Sequence, residues 1–90
     1  MRTTATQWVS MPIYDNRSFV IHLPRGVSVF NPEYSDGGLR FSWGPDWFNN
    51  PASVEHVFSI FPSNRKRKYG KRVGSFMYAG EKYFLYHKEL

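Results

Sequence analysis

The sequence has no cysteine. No disulfide can staple the fold and no thiolate can hold a metal, so a packed core has to supply the stability. The lack also fits a reducing compartment. No apolar run approaches the roughly 18 residues that a membrane-spanning helix needs, and the stretch Met1–Trp8 has no apolar segment of the kind found in a secretory leader. The expected location is therefore cytoplasmic, or nuclear in a eukaryote, with no membrane partner. The three histidines, His22, His56 and His87, lie more than thirty residues apart. They make no H-x3-H spacing, and no carboxylate cluster accompanies them, so neither a zinc site nor any other metal is expected. Gly37-Gly38 and Gly70-x-x-x-Gly74 match neither the Rossmann nor the P-loop pattern, and no cofactor is expected. Internal repeats are also missing.

What the sequence has instead is aromatic residues and localised charge. Eight Phe, six Tyr and three Trp stand among 90 residues. Each ring, once buried, removes roughly 150–250 Å² from water, so a small single domain spanning 1–90 can build a real core and is not a disordered tail. Residues 1–62 carry a net charge of −1 and residues 63–90 a net of +6. Most of the latter lies in Arg65-Lys66-Arg67-Lys68-Tyr69-Gly70-Lys71-Arg72, where six of eight residues are cationic and no acid intervenes. A chain basic only for solubility would spread such charge; concentrating it points to a polyanionic partner.

The pattern along the chain predicts an α+β fold: a mostly antiparallel sheet of about five or six short strands, compatible with a half-open barrel, and one helix packed on it. Gln7–Tyr14 alternates weakly and contains Pro12, which suits an edge strand. Ser18–Leu23 puts Phe19, Ile21 and Leu23 on one face, and Pro24-Arg25-Gly26 breaks it. Val27–Phe30 is a further short strand, stopped by Asn31-Pro32. After the Ser35–Gly38 turn, Leu39, Phe41 and Trp43 alternate inward with a period of two, and Gly44-Pro45 closes that strand. Asp46–Asn49 reads as an aromatic loop. A helix is predicted over about 51–61: Asn50-Pro51 forms a start signal, and Val54, Val57, Phe58 and Phe61 follow the i, i+3, i+4, i+7 rule. Pro62 ends it. The chain finishes in a β-hairpin with a two-residue Gly80-Glu81 turn, which pairs Tyr78 with Tyr83 and Phe76 with Leu85. One face of this hairpin shows Phe76, Tyr78, Tyr83, Leu85 and His87; the other shows Val73, Met77, Phe84 and Tyr86. Both are largely apolar, so one is left for another layer, a second copy in a homodimer, or stacked bases.

These features favour a small non-enzymatic nucleic-acid-binding protein, with RNA preferred over DNA because no recognition helix carries the charge. Arg65, Lys66, Arg67, Lys68, Lys71 and Arg72 would hold phosphates while releasing condensed counterions. Tyr69, Tyr78 and Tyr86, with Tyr83 beside them, would offer flat surfaces for bases. The bland alternatives are a solvated loop that blocks edge pairing and a nuclear-import address at Arg65–Lys68. A rival of another class is a protein-binding inhibitor or accessory factor, of the sort phages and mobile elements encode, docking its cations on an acidic surface of a host protein. A third is a small ribonuclease using a histidine, a carboxylate such as Glu55 and an arginine. No sequence spacing brings those groups together, so no catalytic residue is assigned.

Overall fold

The computed structural model describes residues 2–10, 17–47, 53–64 and 70–90. Seven strands run in chain order: β1 (Arg2–Ser10), β2 (Arg17–Pro24), β3 (Ser28–Ser35), β4 (Gly38–Trp47), β5 (Ser53–Pro62), β6 (Lys71–Tyr78) and β7 (Glu81–Glu89). They form two antiparallel sheets, one in the order β1-β4-β3 and the other in the order β2-β5-β7-β6. The inner faces pack on each other: Leu39 and Phe41 of β4 meet Phe58 and Ile60 of β5, Phe76 of β6, and Tyr83 and Leu85 of β7, with Leu23 and Val27 closing one end. The Phe41 and Phe58 rings stack across the two layers with centroids 4.7 Å apart, and Phe19 stacks on Phe58 at 5.4 Å.

The fold is therefore all-β, and the predicted α+β class with a helix over 51–61 is wrong. Among the described residues none is helical, and the sheets do not close into a barrel. The segment read as a helix is β5, the inner strand flanked by β2 and β7. Its side chains alternate: His56, Phe58 and Ile60 are buried inward, while Ser59 and Phe61 on the opposite face are also buried. A strand apolar on both faces satisfies a helical i, i+3, i+4, i+7 pattern by coincidence. The β-branched and aromatic residues Val54, Val57, Phe58, Ile60 and Phe61 suit a pleated, twice-flanked strand better than a short helix. The proposed start signal at Asn50-Pro51 lies outside the described residues.

Two strands run further than expected. Asn31-Pro32 does not stop β3. Asn31 takes a positive φ of 53° and the pairing with β4 shifts register between Phe30 and Glu33, which is a bulge on an edge strand, where proline's missing N–H is tolerated. Gly44-Pro45 does not end β4, which continues through Asp46 to Trp47. The hairpins turn as their glycines dictate. Asp36-Gly37 has φ of 54° and 75° and Ala79-Gly80 has 50° and 79°, the pair of positive values that a type I′ turn needs. The C-terminal turn is thus Ala79-Gly80 and not Gly80-Glu81, and Tyr78 pairs with Glu81, Phe76 with Tyr83 and Ser75 with Phe84. This register differs from the predicted one by two residues. Because side chains alternate with period two, every residue of the hairpin from Ser75 onward keeps its expected face.

β3 and β6 lie edge to edge where the sheets meet. Tyr34 packs on Phe76 (6.3 Å) and Tyr78 (4.7 Å), and the Gly74 backbone passes so close to Pro32 that a Cβ would sit 3.1 Å from its ring. A bulge between Arg72 and Gly74 follows this contact. A bulge of this kind bends the strand, here directly after Lys71 and Arg72.

Candidate nucleic-acid interface

β7 is the axis of the site. β5 and β6 both pair with it, so Asn64 and Gly70, which bracket the basic run, lie on opposite sides of this strand. The Ser63 N–H donates to the Lys82 carbonyl at 2.9 Å. At the other end Gly70 has φ of 95°, and an added Cβ would come within 2.5 Å of the His87 carbonyl oxygen. The sequence Arg65–Tyr69 therefore joins two points fixed beside Lys82 and His87.

The outward side of β7 carries Lys82, Phe84, Tyr86 and Lys88. Phe84 is half-buried, with the Arg72 guanidinium 4.6 Å above its ring centroid and the Lys82 ammonium 5.7 Å from it. Tyr86 meets Phe84 edge-on at 6.4 Å and Phe61 at 6.1 Å. This row of rings is the second apolar face of the hairpin. It faces away from the other sheet and sits among Arg72, Lys82 and Lys88, all exposed.

The inward side of the same strands ends in a different cluster. Val27, Ser28 and Val29 face Lys71, Arg72, Val73 and His87 across a cavity of about 370 Å³. The His87 ring lies edge to edge and nearly parallel with that of His56 (centroids 5.0 Å, planes 6° apart), and it stacks on Phe58. His87 Nε2 lies 2.7 Å from His56 Nδ1, while His56 Nε2 is 3.2 Å from the Pro24 carbonyl oxygen. Glu89 closes this end: its carboxylate accepts from the Gly26 N–H at 2.7 Å, lies 3.7 Å from the Arg25 guanidinium and stands 3.9 Å from His56 Nε2. Burial first, and then the neighbouring His56, push the His87 imidazole down to about 4. Glu89 opposes this and Lys71 adds to it. His87 is thus neutral at pH 7.

Of the residues singled out in the sequence, Arg65, Lys66, Arg67, Lys68 and Tyr69 lie outside the described residues. Lys71 and Arg72 are exposed at the start of β6, at the mouth of the cavity. Tyr86 is on the basic face but buried between Phe61 and Phe84. Tyr78 points inward onto Tyr34 and Tyr83. Tyr83 is a core residue stacked on Phe76. Phe84, which sequence reasoning left among apolar hairpin residues, is the ring that two cations address. Its signal was its place between Lys82 and Tyr86 on the outward face. Two of the three histidines, His56 and His87, do come together, through the pairing of β5 with β7. His22 is exposed on the other side of β2, opposite Glu55. Among the described residues no three metal-ligating side chains converge.

No protein-family model, curated protein or solved structure matches this chain.

Proposed function

We propose that the protein binds single-stranded or structured nucleic acid, RNA in preference to DNA, on the outward face of β6 and β7. The observation that carries this reading is Phe84 lying between Arg72 and Lys82 on a strand flanked at both ends by the anchors of the basic run. Each component answers one part of a nucleic acid. Lys71, Arg72, Lys82 and Lys88, with Arg65–Lys68, neutralise phosphates and release counterions. The Arg72 guanidinium layered on Phe84 gives a flat cationic platform on which any base can stack, so binding by stacking is tolerant of sequence. Arg72 serves both, since a guanidinium stacks on rings and holds phosphate oxygens in a bidentate fork. No acid stands on this part of the face between Lys82 and Lys88.

The interface is mapped by titrating the ¹⁵N-labelled protein with a uridine dodecamer. Amide shifts at Arg72, Lys82, Phe84 and Lys88, with Thr4, Thr6 and Ser10 on the far sheet unmoved, are expected. Shifts confined to the far sheet would overturn the assignment. If no nucleic acid shifts any amide, the cations revert to the rival partner, an acidic protein surface, and degradation of the oligonucleotide in the tube would replace binding by ribonuclease chemistry.

A further inference from the structure

The histidine cluster determines where its protons are. A carbonyl oxygen only accepts, so the 3.2 Å contact with Pro24 places a proton on His56 Nε2. Two N–H groups cannot face each other at 2.7 Å, so one nitrogen of the His56–His87 contact is bare. In the single-proton tautomer that the Pro24 contact selects, His56 carries its proton on Nε2 and its Nδ1 is bare. Its Nδ1 is then the acceptor and His87 Nε2 the donor. The neutral His87 ring has used its only proton, which leaves Nδ1 as a bare acceptor on the ring that lines the cavity. The chain from the Pro24 carbonyl through His56 thus locks the tautomer of His87.

Beside this acceptor stands one cation, Lys71, paired with His87 across the strands, and the walls are the apolar side chains of Val27, Val29 and Val73. An acceptor adjacent to a cation asks for a ligand that presents a hydroxyl donor adjacent to an anion. A ribonucleotide has that arrangement, its 2′-hydroxyl lying next to the 3′-phosphate, and a deoxynucleotide does not. A cavity of about 370 Å³ is within the range of small-ligand sites and has room for one nucleotide unit. Arg72 connects the two regions, lining the cavity while its guanidinium covers Phe84.

We infer that the cavity between the starts of β3 and β6 reads the ribose 2′-hydroxyl, with His87 Nδ1 as acceptor and Lys71 on the adjoining phosphate, so that the protein distinguishes RNA from DNA. The inference rests on the proposed nucleic-acid binding and specifies its substrate class.

The test is fluorescence anisotropy with uridine dodecamers that differ only at the 2′ position: hydroxyl, hydrogen and O-methyl. One net hydrogen bond predicts that the hydroxyl form binds about threefold to tenfold tighter than the deoxy form. The O-methyl form keeps the RNA-like sugar but has no proton to donate, so it should bind like the deoxy form. In His87→Phe, which keeps a ring on Phe58, the ratio of hydroxyl to deoxy binding should fall to about one. The comparison on the unaltered protein decides the matter even if that variant does not fold. Equal binding of all three forms, O-methyl binding like hydroxyl, or a ratio that survives in His87→Phe would each overturn the inference and leave nucleic-acid binding in place. Binding of none of them would remove the underlying reading as well.

Discussion

Phe84 differs from the other hairpin aromatics in what lies above it. Tyr83 and Phe76 face each other in the core, whereas Phe84 has a guanidinium on its ring and another cation beside it. Removing the ring should cost what base stacking contributes, about 1–3 kcal/mol of binding. Phe84→Ala is therefore expected to weaken single-strand affinity at least several-fold with little loss of stability, read by anisotropy and a urea melt. Tyr78→Phe, on the inward face, should leave affinity unchanged. His87 carries the second residue-scale expectation. Its folded pKa of about 4 lies below the ordinary value of 6.5. Between those values the unfolded chain binds the extra proton, so stability due to this group is fully present above about pH 6.5 and is lost as pH falls through about 4. The groups that face it are His56 on β5, Lys71 on β6 and Glu89 on its own strand. The urea midpoint should fall from pH 7 to pH 4, and the fall should be smaller in His87→Phe. Equal falls would show that the acid sensitivity lies elsewhere.

At the scale of elements, the start of β6 depends on Gly70. Its φ of 95° is costly for any residue with a Cβ, and the added atom would press on the His87 carbonyl. Gly70→Ala should cost about 1–3 kcal/mol of stability and move Lys71 away from β7. Loss of affinity beyond the loss of folded protein, measured at a temperature where the variant is folded, would show this positioning. Wild-type affinity and stability would contradict it. The strands themselves were legible from the sequence to very different degrees. β2 and the first half of β4 show clean alternation, and Phe19, Ile21, Leu23, Leu39 and Phe41 all face the core as their spacing implied. β5 was misread because both of its faces are apolar, which erases the period-two signal; Ile60, which sits off the supposed helical stripe, was the residue in conflict. The C-terminal turn was misplaced by one residue because Ala79 holds a positive φ, which no residue with a Cβ advertises. The basic run could be read directly. The neighbours of Phe84 and the His56–His87 contact could not, since both follow from strand pairings between distant parts of the chain.

At the scale of the whole molecule, the charge asymmetry of the sequence becomes a difference between the sheets. The sheet β1-β4-β3 belongs to the part of the chain with net −1, and Arg40 on it is already paired with Glu33 at 3.0 Å. The cations of β6 and β7 belong to the four-stranded sheet, and so do the strands on either side of the basic run, β5 and β6. A polyanion should accordingly engage one side of the sandwich, and salt should weaken that engagement in proportion to the phosphates neutralised. The most direct test is anisotropy with a single-stranded RNA across a salt series, for the unaltered protein and for a variant with alanine at 65, 66, 67 and 68. With the eight cations of the proposed interface each on a phosphate, log K should fall with log salt at a slope of about −5.6, from about −0.7 per contact, and the slope of the variant should shrink to about −2.8. An unaltered slope in the variant, or binding that salt does not weaken, would contradict the account.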